Sequence, residues 1–384
     1  MSVQAVRMWT WLHKWSSLVC TLFMLLLGIT GLPLIFSHEI DHLTGNSIEA
    51  PAMPAGASRA SLEAVAKAAV AYRPGLVPLY FFSEEDAPNL WLVKLDQHVA
   101  SDEQLAQFAT VDARTAQVLG APEFGQGFMH VMYRLHVDLF FNLAGKLFLG
   151  LMGALLIIAI VSGVVLYAPF MRKLAFGAVR AERSPRIRWL DLHNLLGIAT
   201  VVWMFIVGGT GVINTWADLI LKAWQSEQIS KLQQGRTQII MAADPGLVAG
   251  TSGIDFSVTR ALKAFPEMQV EMIAFPGTLR STPEHFAIIL RGRDALTARL
   301  TQAVLVNPKN GEVLQAGARP WYVTMLQLSQ PLHFGDYGEL PLKILWALLD
   351  LIMMVVTGSG LYLWWSRANQ KKAVELSAPE EAGS

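Results

Sequence analysis

The sequence predicts a membrane protein built by internal duplication, with an all-α four-helix bundle and two external α+β domains. The chain of 384 residues is 53% apolar, only 16% charged and carries no net charge, and its mean hydropathy is +0.39. Ordinary soluble domains contain fewer apolar residues and more charge. Two sets of motifs that recur at constant spacings indicate the duplication.

Four apolar runs are long enough to cross a hydrocarbon core of about 30 Å, which takes roughly 20 residues of helix. They are residues 15–36, 147–170, 195–216 and 344–365. The first run follows basic residues, as in a signal peptide, but its apolar part is too long for one. We therefore expect all four runs to remain as membrane helices.

The first and third runs match at an offset of 180 residues without a gap. The matched residues are Trp9 with Trp189, Leu12-His13 with Leu192-His193, Gly28 with Gly208, and Thr30-Gly31 with Thr210-Gly211. The second and fourth helices match at an offset of 197, and the matched residues are Leu135-His136 with Leu332-His333, Lys146 with Lys343, and Ser162-Gly163 with Ser359-Gly360. Both copies thus keep the same two histidines.

The positions of Lys and Arg predict the orientation, because positive residues stay on the cytoplasmic side. The basic loop between the second and third helices should be cytoplasmic, and so should both termini. The resulting segments are a cytoplasmic N-terminus with helix 1 (1–36), external domain 1 (37–134), helix 2 (135–170), the basic loop (171–188), helix 3 (189–216), external domain 2 (217–340), helix 4 (341–365) and a cytoplasmic tail (366–384).

The external segments share one plan of a helix followed by strands. In the first, the pattern predicts a helix at 61–72, capped by Ser61, and strands at 79–82, 90–95 and 108–119, with a turn at 112–115 between two strands. In the second, it predicts a helix at 256–265 and strands at 270–275, 286–290 and 303–314, the last broken by a turn at 307–311.

The four repeated histidines are the candidate functional residues. His13 and His193 begin helices at the cytoplasmic face, whereas His136 and His333 precede helices at the external face. Parallel repeats usually surround a twofold axis along the membrane normal, which brings equivalent residues together. The expected pairs are therefore His13 with His193 and His136 with His333, since the bilayer separates the two faces.

Facing imidazoles in a helical bundle suit the two axial positions of a b-type haem. The single cysteine, Cys20, excludes thiolate-bound clusters and the attachment of c-type haem. We therefore expect two b haems, with nearby glycines that admit a flat macrocycle. The arginines expected to pair with propionates are Arg7 and Arg186 or Arg188 inside, and Arg134 outside. Interface histidines without a metal, or zinc or copper sites, are the alternatives.

The order of these elements resembles the PepSY-associated transmembrane family, and within it the inner-membrane ferric-siderophore reductases of the ferrioxamine type. The motifs that carry the resemblance are Leu135-His136-x-x-Leu139, Leu332-His333-x-Gly335, the two Ser-Gly pairs and Trp364-Trp365. The resemblance implies PepSY-like external domains, haem b held by helix histidines, and reduction of periplasmic ferric chelates to release Fe(II). Tyr167 departs from it, since a tryptophan equivalent to Trp364 is expected there.

A competing motif lies where the first helix leaves the membrane. His38-Glu39-Ile40-Asp41-His42 matches H-E-x-x-H, in which two histidines bind zinc and the glutamate activates water. His130 would be a third ligand. The adjoining Thr44-Gly45-Asn46 reads as a helix stop, and the motif does not belong to the duplicated scaffold. It forms a zinc protease site, lines the external substrate pocket, or is a polar helix exit.

The histidine pairs predict an electron-transfer protein, and the resemblance implies an oxidoreductase of the bacterial inner membrane that passes electrons outward to a ferric siderophore. Its other partners are the lipid bilayer and a cytoplasmic or quinol electron donor, and no nucleic acid is expected. The alternatives are a zinc metalloprotease and a non-catalytic siderophore permease component or sensor. The sequence leaves the siderophore, the donor and the oligomeric state open.

Overall fold

Long helices alternate along the chain with groups of short strands. The computed structural model divides into a membrane unit, made of Met1–Ser37, Gln126–Ala217 and Ser329–Ser384, and a sheet unit, made of His38–Gly125 and Asp218–Leu328. It describes residues 1–54, 56–83, 86–103, 105–122, 124–171, 175–234, 238–242, 253–294, 297–315, 320–335, 337 and 339–377. Arg172 and Lys173 of the predicted basic loop, and the end of the predicted tail, lie outside these residues.

The helices and strands of the described residues follow one another in this order. The helices are α1 (Val3–Ile35), α2 (Ser37–Thr44), α3 (Leu62–Tyr72), α4 (Gly127–Val137), α5 (Asn142–Met171), α6 (Pro185–Gln233), α7 (Ile254–Ala264), α8 (Trp321–Phe334) and α9 (Glu339–Ser377). The strands are β1 (Val77–Phe82), β2 (Leu90–Asp96), β3 (Gln107–Asp112), β4 (Val118–Gly120), β5 (Gln238–Met241), β6 (Met268–Ala274), β7 (Phe286–Gly292), β8 (Thr301–Val306) and β9 (Val313–Gln315).

Within the described residues, four helices are long and apolar enough to cross a membrane. Their spans are Val3–Ile35, Asn142–Pro169, Pro185–Leu221 and Leu340–Asn369. Polar side chains inside the spans bond to their own helix: the hydroxyls of Thr21, Thr30, Thr200 and Thr210 donate to the carbonyl four residues earlier, at 2.7–2.8 Å. Such bonds leave no hydroxyl unsatisfied in an apolar surrounding. The four predicted runs correspond to these spans.

His136 lies on a short helix of its own rather than at the start of the second spanning helix. Helix α4 ends at Val137, and Leu139 and Phe140 turn the chain with φ of 52° and 63°. The Asp138 carboxylate accepts hydrogen bonds from Phe140 N and from Arg134 Nε, both at 2.9 Å. These bonds stabilise the turn. Likewise, His333 lies on α8 and the spanning helix α9 follows it.

The strands of the sheet unit form one antiparallel sheet with the order β4-β3-β2-β1-β6-β7-β8-β9-β5. The sequence predicts two α+β domains, and each segment does form its own helix and meander. The two meanders meet where β1 pairs with β6, so the two halves share one sheet. Helices α3 and α7 cover one face of it, around a core that includes Val65, Phe81 and Ile288. Strand β5, at one edge, is absent from the sequence prediction.

Helices α3 and α7 cap each other. The Asp255 carboxylate accepts the backbone N–H of Leu62 at 2.9 and 3.0 Å, and Glu63 Oε1 accepts the N–H of Ile254 at 2.7 Å. Each side chain thereby satisfies a free N–H in the first turn of the other helix. The exchange ties the first half of the sheet unit to the second.

Candidate functional site: two histidine pairs

The membrane unit brings the four repeated histidines together as two pairs. The ring centroids of His13 and His193, the first pair, lie 6.5 Å apart, and those of His136 and His333, the second pair, lie 6.2 Å apart. Each pair joins a histidine of one repeat to its equivalent in the other. These are the pairs that the offsets of 180 and 197 predict.

Each histidine is held through Nδ1 by a neighbouring helix. In the first pair, Nδ1 of His13 lies 2.9 Å from the Ala159 carbonyl, and Nδ1 of His193 lies 3.0 Å from the Val356 carbonyl. Because a carbonyl only accepts, Nδ1 carries the proton and Nε2 presents a lone pair. Metal-binding histidines are commonly fixed in this way by a second hydrogen bond.

The second pair repeats the arrangement. Nδ1 of His333 lies 3.0 Å from the Val207 carbonyl. His136 bonds to the Leu27 carbonyl, and its Nδ1 lies 3.1 Å from the Thr30 hydroxyl. In the described parts of the chain, the hydrogen bonds of all four rings are made by Nδ1, so each Nε2 remains open to a ligand.

Each imidazole also rests against a glycine of the helix that holds it. A Cβ atom would come within 3.1 Å of His13 Cε1 at Gly163, 3.3 Å of His193 Cε1 at Gly360, 3.0 Å of His136 Cε1 at Gly31, and 3.1 Å of His333 Cε1 at Gly211. These glycines belong to the repeated Thr-Gly and Ser-Gly motifs. The sequence interpretation expected three of these glycines, Gly31, Gly163 and Gly211, to admit a macrocycle. In the structure these three and Gly360 leave the space for the histidine rings.

The contacts themselves follow the duplication. Ser162 and Ser359 lie beside Nδ1 of His13 and His193 at 3.3 and 2.9 Å, and they are equivalent at the offset of 197. The contact partners of His136 and His333 are equivalent at the offset of 180. Both copies therefore use the same seat, built from a carbonyl, a hydroxyl and a glycine.

The spacing within each pair suits one metal ion between two imidazoles. A metal lies about 2.0 Å from a ligating nitrogen, and a ring centroid lies about 1.1 Å behind that nitrogen, so two opposed rings have centroids about 6.2 Å apart. The observed separations are 6.5 and 6.2 Å. With two ligands per metal and helices around them, the four residues fit the axial positions of b-type haem.

A cavity of about 750 Å³ surrounds the first pair, within the range of cofactor sites. Its lining carries three cationic side chains, Lys14, Arg186 and Arg367. Nε of Arg186 is buried and has no hydrogen-bond partner among the described residues. An anionic group in the cavity would satisfy it. The sequence interpretation named Arg186 as a partner of an anionic group but missed Lys14 and Arg367. These two residues lie near helix ends and belong to no recognisable motif.

The other predicted propionate partners lie elsewhere. Arg7 and Arg188 are exposed and are not among the residues that line the cavity. Arg134 pairs with Asp138 at 2.9 Å and donates to Asn142 at 3.0 Å. Its established contacts therefore stabilise the turn between α4 and α5.

The H-E-x-x-H motif forms α2, which ends at Thr44 before Gly45. Nε2 of His42 lies 2.9 Å from Glu49 Oε1, and both side chains are exposed. His130 packs against the Phe140 ring. Among the described residues, no group of three or more His, Cys, Asp or Glu could hold a metal ion. Thus nothing supports a zinc site at His38, Glu39, His42 and His130.

Four apolar spans and two close histidine pairs define a multi-pass membrane protein with two candidate metal-binding positions in its bundle. The chain belongs to the family described as the PepSY-associated TM region, whose model matches residues 10–367. It is also 24% identical over 258 residues to the uncharacterized protein PA4219 of Pseudomonas aeruginosa. That match covers 62% of this chain, and the chain spans only 64% of the length of this relative.

Proposed function

We propose that the protein is a haem-dependent oxidoreductase of the bacterial inner membrane that passes electrons to periplasmic ferric siderophores. The observation that supports it is the close pairing of imidazoles at two places, with each Nδ1 hydrogen-bonded and each Nε2 open. When bound, b-type haem would supply reversible one-electron chemistry. Two such positions in one bundle suit an electron path across the bilayer.

The chain's own residues would bind and orient the two groups. His13 and His193 would hold one, and His136 and His333 the other. The carbonyl and glycine seats fix the plane of each imidazole, which raises ligand basicity and lowers the cost of ordering the site. Lys14, Arg186 and Arg367 would neutralise the acidic edge of the group bound at the first pair.

The ferric siderophore as substrate rests on the family resemblance. In this proposal the sheet unit lies on the periplasmic side, both termini lie in the cytoplasm, and a quinol or a cytoplasmic reductant supplies the electrons. Weak binding of Fe(II) by such chelators would then release the metal after reduction.

Spectroscopy of the purified full-length protein tests the cofactor. We expect a Soret band with split visible bands after dithionite reduction, and two haems per chain. Colourless protein that holds zinc would overturn the proposal in favour of the protease.

Reconstituted vesicles test the reaction. Protein that holds haem is given reductant on one side and ferric ferrioxamine on the other, with an Fe(II)-specific chromogenic chelator present. Formation of the Fe(II) complex at a rate above that of vesicles with haem-free protein is expected. Haem that becomes reduced without any Fe(II) formation from ferric chelates would leave an electron carrier or sensor and refute the reductase.

A further inference from the structure

A buried carboxyl group lies within the membrane span of α9. Asp350 is only 7% exposed, and its Oδ2 atom has no hydrogen-bond partner among the described residues. An ionisable side chain at membrane depth is costly and usually marks a proton or ion pathway. The proposed haem sites do not use Asp350.

The duplication shows that the scaffold does not need this acid. At the offset of 197 the equivalent residue in α5 is Gly153, where a Cβ would lie 2.9 Å from Val212. The seats of the histidines are repeated in both halves, but the acid occurs in one half only. Asp350 therefore calls for an explanation other than helix packing.

Two further buried nitrogen atoms, on Trp346 and Trp203, have no hydrogen-bond partner among the described residues. Trp346 precedes Asp350 by one helical turn, and its ring contacts that of Trp203 at a centroid distance of 6.4 Å. Two donors and one acceptor thus share a region of the bundle where lipid offers no hydrogen bond. Such a group of atoms can hold a proton and an ordered water.

Asp350 lies between the two histidine pairs along α9. Val356, which holds His193, is six residues further on, about 9 Å at the rise of an α-helix. In the other direction, Trp346 packs against Gly335, two residues beyond His333. A negative charge about 10 Å away changes the proton affinity of such a carboxylate roughly tenfold at an effective dielectric constant of about 20.

We propose that Asp350 is a redox-linked proton site, which binds one proton when an electron enters the bundle. This inference rests on the proposed haem function. When a one-electron reductant supplies one electron to the bundle, the Asp350 carboxylate takes one proton from water, which leaves hydroxide, and forms one O–H bond. On oxidation the electron leaves the bundle, and the proton returns to water. The proton keeps the bundle interior neutral, so the group would make the electron affinity of the protein depend on pH.

Few other groups compete for this role. On α1, Cys20 lies between the two histidine pairs along the helix, and Lys14 follows His13. On α6, no residue from 194 to 217 is titratable. On α5 the titratable residues are Lys146 and Tyr167, near its two ends, and on α8 they are Tyr322 and His333. On α9 itself, Glu339 and Lys343 precede Asp350 towards one end, and the titratable residues towards the other end are Tyr362, Arg367, Lys371, Lys372 and Glu375.

Redox titration of the full-length protein at several pH values tests the proposal. In the wild type, the midpoint potential of at least one haem should fall as pH rises. Asp350→Asn, which keeps the shape of the side chain, should abolish most of this dependence, and Asp350→Glu should restore it. Infrared difference spectra should show a protonated carboxylic acid gained on reduction, shifted by isotope-labelled aspartate and missing in Asp350→Asn.

Each outcome separates this inference from the function on which it rests. Two haems with the same pH dependence in the wild type and Asp350→Asn would overturn the proton site and leave the haem function standing. Protein without haem would overturn both. If Asp350→Asn does not fold, the labelled wild-type infrared spectrum decides: an aspartate band that does not change on reduction refutes the proposal.

Discussion

The four histidine seats show how short motifs can carry a site. Thr30-Gly31, Ser162-Gly163 and their repeats look in the sequence like helix-packing motifs. In the structure each hydroxyl lies 2.9–3.3 Å from the Nδ1 atom of an imidazole, and each glycine leaves the space that the ring occupies. Their position beside the histidines depends on how the helices pack, and a single sequence does not predict that packing.

Loss of one histidine should remove one haem and spare the other. His13→Ala and His193→Ala should each lower the content from two haems to one, because the second pair has separate seats. Pyridine haemochrome analysis of purified protein measures the content. His130→Ala, a control outside both pairs, should retain two haems. Loss of both haems, or of neither, in the two variants would contradict the pairing.

The glycine seats can be tested on a single helix. Gly360→Val should displace His193 and weaken haem binding at the first pair by roughly 10–100-fold, as for other groups that orient a ligand. At Gly358, two residues earlier, an added Cβ would meet no atom within 4 Å. Gly358→Val is therefore the matched control and should bind haem as the wild type does. Equal effects of the two variants would show that the seat is unimportant.

At the scale of elements, the strength of each sequence signal decided what could be predicted. Ser61 caps α3 as predicted, with its hydroxyl accepting the N–H of Ala64 at 3.1 Å. The break after α4 has no glycine or proline at its positive-φ residues, Leu139 and Phe140, so it could not be foreseen. Among the residues that the structure describes, strand β5 lies in the second half and has no counterpart in the first.

The mutual capping of α3 and α7 should be sensitive to pH. Burial and the neighbouring Glu63 carboxyl raise the pKa of Asp255 to about 6. For Glu63, burial opposes ionisation, but hydrogen bonds from Asp255 and the backbone outweigh it and lower the pKa. The contribution of Asp255 to stability is therefore full below about pH 4 and is lost as pH rises through about 6. That of Glu63 is lost as pH falls below its unfolded value of about 4.3.

Asp255→Asn should remove the loss of stability between pH 5 and 7. The effect should be on the order of 1 kcal/mol once solvent screening is allowed for. Hydrogen exchange of the α3 and α7 amides in the full-length protein, compared with the wild type at each pH, measures it. Protection that falls equally in both proteins from pH 5 to 7 would show that the carboxyl pair is not the cause.

At the scale of the whole molecule, the duplication was the most informative part of the sequence. The apolar runs predicted the helix spans, and the two constant offsets predicted the partner of each histidine. The offsets could not predict that β1 pairs with β6. The alternation of residues along a strand does not indicate which distant strand will pair with it. The sequence also could not predict the charged lining of the first cavity. Lys14 and Arg367 line the same cavity only because α1 and α9 pack together.

The predicted orientation can be tested with cysteine labelling. Cys20 is 2% exposed, so the chain offers a nearly silent background, made fully silent by Cys20→Ser. Ala100→Cys, in the sheet unit, should react with a membrane-impermeant maleimide in intact spheroplasts. Ala181→Cys, between α5 and α6, should react only after permeabilisation, because basic segments stay inside. The reverse pattern would invert the proposed direction of electron flow.

In the sheet unit α3 corresponds to α7 and β1 to β6 at an offset of 192 residues. With the two histidine pairs, four contacts therefore join a residue to its own counterpart in the other half. They are His13 with His193, His136 with His333, Glu63 with Asp255, and Phe81 with Ile273. Contacts of this kind are isologous, which is the geometry of a twofold homodimer. In a homodimer of a half-length chain, the same four contacts would form between the two subunits. Fusion into one polypeptide lets the halves diverge, and Asp350 shows the benefit: a homodimer would carry two such acids or none, whereas this chain carries one.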